Sequence, residues 1–327
     1  MNIKCYILSL DKSQDLVSQS SKYFDNVEVV KGIHYKNLTN DQIITNTLSP
    51  YTHFIPKSGI AIAMGHLKIW KKFVKDGGDY ACIFEDDAII NDNLNVLDDI
   101  LSNTPKTFDI LYIGYLFGQN DYNIVKLLYG IVYGQNKDVY VNEHVKIPSL
   151  SLGCHGYILS RKGAIKLINL IENNIYNHVD VMINGYKMNN KVEVYSINKP
   201  LMYQSSTENY MSSGNCSKHP KMINKALSKI YIEDHVTLGY CLTCNFMRIG
   251  DININGITIV FLLLGIVLYN YNSDYNVKLF LTIFIMLSMY DVLYTEIDID
   301  MFVNFAILFL PVFTKNYLNK EKEILKF

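Results

Sequence analysis

The sequence predicts an α/β protein, an open sheet of buried strands alternating with amphipathic helices, followed by a hydrophobic helical tail. Three observations carry this. Before residue 250, short runs rich in branched and aromatic side chains recur, each closed by polar residues or glycine, as strands covered on both faces require. Between them lie segments whose apolar residues repeat at helical spacing. From Ile252 to Ser273 the chain then runs 22 residues without a charge, a shift that divides 1–250 from 251–327.

In order, Ile3 to Leu10 predicts a first strand; its apolar run is too short, and too soon closed by Asp11, to be a secretory leader. Val27 to Val30 predicts a second strand. Ile60, Ala63, Leu67, Trp70 and Val74 mark one face of a helix, with Lys68, Lys71 and Lys72 on its solvated side. YACIF at 80–84 and FDILYI at 108–113 predict buried strands, and GCHGYILS at 153–160 another, followed by a helix over RKGAIKLINLIE. The charge-free run from Ile252 is long enough to cross a bilayer, and the shorter apolar stretches Leu279 to Tyr290 and Met301 to Thr314 suit a tilted span or a re-entrant piece. The expectation is a membrane-associated protein with a cytosolic catalytic domain.

Thirty basic residues against 31 acidic ones leave a formal charge of −1, which excludes nucleic-acid binding driven by phosphate neutralisation. The six cysteines lie in apolar runs rather than at disulfide-framework spacing and read as reduced core residues. Cys241 and Cys244 form a lone C-x-x-C that would need two more ligands, such as His219 or His235, to hold zinc.

The chemistry points to Glu85-Asp86-Asp87, three carboxylates where a buried strand ends. Ligands of open α/β sheets bind at the carboxyl ends of strands. In an extended chain Glu85 and Asp87 project to one side and Asp86 to the other, so the first two can converge on a hard cation. The competing reading is a solvated acidic turn or a helix cap.

Four segments resemble glycosyltransferase family 25 in order. Cys5-Tyr6-Ile7-Leu8-Ser9-Leu10-Asp11 is similar to its "I-N-L-D" start. The stretch from Ser58 through Gly65-His66 to Trp70 resembles its "G-x-x-G-C-x-x-S-H-x-x-x-W" helix. Phe84-Glu85-Asp86-Asp87 is similar to "L-E-D-D", and Gly153-Cys154-His155-Gly156-Tyr157 through Gly163-Ala164 resembles "G-x-x-A-Y-x-x-S-x-x-G-A". Asp180, then Pro200 and Gln204, fall where the family has an acidic residue and a closing "P-x-x-x-Q" strand. The chain departs in having Ser9 for asparagine, Gly65 for serine, and Gln14 or Leu16 where an arginine is usual.

The resemblance implies a GT-A-like, Rossmann-type nucleotide-sugar-binding domain, a UDP-sugar donor, a manganese or magnesium ion, and inverting transfer of a hexose such as galactose or glucose to a glycan, protein or lipid acceptor. It implies donor-side roles for Ser9, Leu10, Asp11, His66, Glu85, Asp86 and Gln204, and an acceptor-side role for His155. Chemically, such transfer needs a cation for the departing diphosphate and a carboxylate to take the acceptor proton. Asp87 suits the first, with Glu85 touching the metal or the donor ribose, and Asp180 the second, its competing reading being a helix cap or turn residue; Asp109 is an alternative base whose simpler reading is a pairing with neighbouring backbone or a cation. Two other classes use the same residues: a metal-dependent phosphodiesterase or nucleotidyltransferase, against which stands the lack of a second acidic cluster, and a degenerate, non-catalytic interaction domain.

Overall fold

The computed structural model describes residues 3–10, 14–91, 94–119, 124–133, 137–205 and 226–271, with scattered positions between 275 and 314. The chain divides into two compact units, one formed by Met1–Glu208 with Ile232–Val236, the other by Asn209–Tyr231 with Thr237–Phe327. The expected boundary at residue 250 falls inside the second unit.

The first unit runs β1 (Ile3–Ser9), α1 (Gln14–Ser20), β2 (Val27–Lys31), α2 (Asn40–Asn46), α3 (Lys57–Asp76), β3 (Tyr80–Glu85), β4 (Ala88–Ile90), α4 (Leu97–Asn103), β5 (Ile110–Leu116), α5 (Ile124–Tyr133), β6 (Val139–Tyr140), β7 (Val145–Ile147), β8 (Leu152–Ser160), α6 (Arg161–Ile171), α7 (Val179–Met188), β9 (Val194–Ile197) and β10 (Met202–Gln204). Eight strands form one mixed sheet in the order β2-β1-β3-β8-β5-β9-β7-β6. β1, β2 and β3 are parallel, and β8 runs antiparallel between β3 and β5. The carboxyl ends of β1, β3 and β5 therefore share one edge with the start of β8.

Sequence pattern and burial agree closely here. Every residue of β5 is buried, as an apolar run without alternation demands. On α3, Ile60, Ala63, Leu67 and Trp70 are buried while Lys68 and Lys71 are exposed. The helix crosses β1 at Gly65, where a Cβ would lie 2.9 Å from the Leu8 side chain. A side chain at this position would have to displace the end of the Leu8 side chain. Cys5, Cys82 and Cys154 are buried free thiols, as expected of core cysteines.

A second close approach brings a distant segment to the sheet edge. Gly114 on β5 and Gly156 on β8 face each other in register. A Cβ on either would strike Met202, at 2.4 and 2.0 Å respectively. The paired glycines form a notch into which Met202 lowers. This seats β10, which pairs antiparallel with β4 through Met202↔Ile90 and Gln204↔Ala88. Register shifts along β5 and β8 accompany the notch, as bulges beside functional edges often do.

The later elements are a hairpin, β11 (Tyr231–Glu233) and β12 (Val236–Thr237), then α8 (Leu238–Thr243), β13 (Asn245–Ile249), β14 (Ile252–Asn255) and α9 (Gly256–Tyr271). The uncharged run from Ile252 is thus not one spanning helix. Its first four residues pair with β13, and Asn255 accepts from Thr258 N at 3.1 Å, starting α9. The 16 residues of α9 extend about 24 Å, short of a hydrocarbon core of about 30 Å. Among the described residues no helix is long and apolar enough to cross a membrane, which corrects the expected transmembrane anchor for this stretch. Ile257, Phe261 and Leu268 instead bury with Leu308. Most of Leu279 to Tyr290 and part of Met301 to Thr314 lie outside the described residues.

Candidate active site

β3 delivers its carboxylates to the shared edge, but the chain does not stay extended there. After Glu85 it turns at Asp86 and Asp87 and returns as β4, so strand pleating does not govern where the carboxylates point. Each is held by a different element. Asp86 Oδ2 accepts from Ser9 Oγ at 2.9 Å and from Leu10 N at 3.0 Å, which ties the turn to the end of β1. Asp87 Oδ2 accepts from Gln204 Nε2 at 2.8 Å, and its carbonyl accepts from Ser205 N at 2.9 Å. Glu85 Oε1 lies 3.0 Å from His66 Nε2, with the histidine fully buried and the glutamate side chain 17% exposed.

The structure therefore brings together Ser9, Leu10, His66, Glu85, Asp86, Asp87 and Gln204 from four separate segments. Asp11 lies outside the described residues. Ser9, which stands where the family has asparagine, uses its hydroxyl to fix Asp86.

Asp180 sits in the first turn of α7 rather than in a free turn before it. Its Oδ2 accepts from Gly153 N at 2.8 Å and its Oδ1 from Val181 N at 2.8 Å. Gly153, at φ +82°, opens β8, so Asp180 belongs to the same sheet edge as Glu85. Both act electrostatically on Cys154. Burial first, then the charges of Asp180 and Glu85, push its thiol well above the ordinary range, so it is a neutral spacer rather than a nucleophile.

Two expected residues are placed elsewhere. His155 has no exposure and lies against Gly114 and Gly153. Burial lowers its pKa to about 4, so it stays neutral in the core. Asp109 precedes β5, at the opposite edge from Glu85, where its Oδ2 binds Lys166 and the Glu193 N–H. It ties strands and helix together there, the pairing with backbone and a cation that its sequence context suggested.

The donor set suits a hard cation, since carboxylate oxygens are its charged groups. Among the described residues no group of three His, Cys, Asp or Glu side chains is disposed to hold a metal ion. Any ion taken by Asp87 and Glu85 must complete its shell with ligand phosphates and water, as magnesium and manganese sites on one or two carboxylates do. Cys241 and Cys244 belong to no such group either among the described residues, and His219 lies outside them.

Residues 2–183 match the profile described as glycosyltransferase family 25 (LPS biosynthesis protein). The chain belongs to glycosyltransferase family 25. It is a glycosyltransferase, and the four segments recognised in its sequence all lie within the matched span. Among curated proteins none matches it. Solved structures similar to it include the crystal structure of A197 from STIV, at 11% identity over 62% of this chain and 83% of that one with a TM-score of 0.29. Apo mouse xyloside xylosyltransferase 1 is another, at 8% identity over 58% and 71% with a TM-score of 0.30.

Sequence reasoning missed one member of the site's support, the shared partner of His66 and Trp70. Tyr157 donates or accepts at 2.9 Å from His66 Nδ1 and receives the Trp70 indole N–H at 2.8 Å. The spacing of His66 and Trp70, one helical turn apart, was the available signal for a shared partner.

Proposed function

We propose that this family 25 enzyme transfers a hexose, galactose or glucose, from a UDP-sugar to a hydroxyl of a glycan, protein or lipid acceptor, with inversion and with manganese or magnesium. The observation that carries this reading is the carboxylate turn at the sheet edge, with Asp180 bound to Gly153 N at the start of the neighbouring β8.

In this reading the acceptor hydroxyl loses its proton to Asp180, the acceptor oxygen bonds to the anomeric carbon, and the bond from that carbon to the diphosphate breaks, releasing UDP. Gly153 N fixes the orientation of Asp180, and a carboxylate retains lone pairs beyond the two already engaged. Asp87, oriented by Gln204, and Glu85, oriented by His66, would hold the divalent ion, which supplies charge neutralisation for the departing diphosphate. Asp86, engaged with Ser9 and Leu10, keeps the end of β1 closed against the turn, where the donor nucleoside would lie.

The full-length protein, offered a panel of UDP-sugars and simple glycoside acceptors, is expected to release UDP only when manganese or magnesium is present. Release that is indifferent to chelation would remove the metal from this scheme, and no release from any donor would remove the UDP-sugar.

The proposal extends to location, with the catalytic unit on the cytosolic side of a membrane and the exposed Leu262, Leu263, Ile266 and Val267 of α9 lying against its surface rather than through it. The full chain is expected to float with liposomes; a chain that stays in the aqueous fraction has no such attachment.

A further inference from the structure

Behind Glu85 lies a chain of four side chains whose protons can be assigned one by one. Trp70, Tyr157 and His66 are each without solvent exposure. The Trp70 indole nitrogen can only donate, so at 2.8 Å the Tyr157 oxygen accepts from it. The Tyr157 hydroxyl proton still needs an acceptor, because an unsatisfied buried donor is costly. The group within reach is His66 Nδ1, at 2.9 Å. Nδ1 then carries no proton, the proton sits on Nε2, and Nε2–H donates to Glu85 Oε1 at 3.0 Å. Each donor has one acceptor, and the chain ends on a carboxylate at the cleft.

We propose that Tyr157 is a positioning residue for the transfer: its hydroxyl fixes His66 as the Nε2–H tautomer and so pins Oε1 of Glu85, leaving Oε2 for the ligand. The position of Glu85 at the donor rests on the function proposed above, whereas the proton assignment rests on the four side chains alone. A histidine free to take either tautomer would offer Glu85 either a donor nitrogen or a bare lone pair, and the second repels a carboxylate. Partners one bond removed from a ligand-holding group commonly govern it in this way.

The test separates the two layers. Histidine-labelled full-length protein, with the His66 signals identified by their loss in His66→Gln, is expected to show the neutral Nε2–H tautomer and a downfield Nε2–H proton protected from exchange with water. Tyr157→Phe keeps the ring and is expected to lose that protection, and to raise the donor KM about 10-fold with a smaller change in kcat. Trp70→Phe leaves the Tyr157–His66 bond in place and is expected to keep the protected proton. An Nδ1–H tautomer in the wild-type protein, a protected proton that survives Tyr157→Phe, or equal loss in both variants would each overturn the positioning role. A protected proton lost in Tyr157→Phe with an unchanged donor KM would leave the proton chain standing and remove Glu85 from the donor site.

Discussion

Asp87→Ala is expected to cut sugar transfer by about 10²- to 10³-fold, the scale of removing one preorganised charge-stabilising group from an active site, while the protein remains folded. The expectation of an intact fold comes from the way the turn is held. The contact from Ser205 N reaches the Asp87 carbonyl, and the ribbon of β4 and β10 is paired through the backbone, so both survive the substitution. What is lost is the carboxylate and its bond from Gln204 Nε2, a single exchange that costs about 1 kcal/mol of stability. Asp87→Asn keeps an acceptor for Gln204 and discards only the charge. It is expected to be as inactive as the alanine variant, which assigns the effect to charge rather than to the position of β10. Initial rates of UDP release with saturating manganese, measured beside a melting curve, check both. Retention of more than a tenth of the wild-type rate in Asp87→Ala would exclude Asp87 as the main support of the departing diphosphate.

The strands of the first unit were legible because their covering helices leave them no wet face. β1, β3, β5 and β8 all read as short apolar runs, and all are buried in one sheet. The carboxylate turn was legible as chemistry but not as geometry. An extended strand would have set Glu85 and Asp87 side by side, and the turn instead gives each its own partner, His66 for one and Gln204 for the other. Those partners lie 19 and 117 residues away, and no local pattern encodes such a pairing. The notch of Gly114 and Gly156 that admits Met202 is of the same kind, since a glycine in a strand announces a close approach but not what approaches. The uncharged run after Ile252 misled for a related reason. Hydropathy records that these residues leave water, yet the pairing of β13 with β14 and the Asn255 cap decide where the helix begins.

The least legible part of the chain carries the largest expected effect on stability. Lys126, Asp138 and Lys146 sit in segments to which no sequence pattern assigned a role, yet the three side chains are 2%, 0% and 1% exposed. Asp138 accepts from Lys126 at 3.1 Å and Lys146 at 2.8 Å, and from Ser149 N and Oγ at 2.7 and 2.8 Å. Burial alone would raise its pKa, but the bonds from Lys146 and Ser149 outweigh burial and hold it below the ordinary value. Lys187 lies in the same neighbourhood. Burial lowers it to about 8, with the Asp138 charge opposing and the Lys126 charge adding to the shift. One carboxylate thus compensates several cations in a water-poor space. Removing it takes the counter-charge from the buried Lys146 ammonium, a change that costs about 3–5 kcal/mol in comparable buried pairs. Asp138→Ala is therefore expected to lower the melting temperature by about 10 °C at neutral pH. The pH dependence has a fixed sign. With its folded pKa depressed, Asp138 contributes stability that is present above the unfolded value of 3.8 and is lost as pH falls through the folded one. The gap between wild type and Asp138→Ala should consequently be full at pH 7 and shrink only below pH 3.8. A melting temperature within 2 °C of wild type at pH 7 would mean that water reaches these lysines and that the cluster is not a buried one.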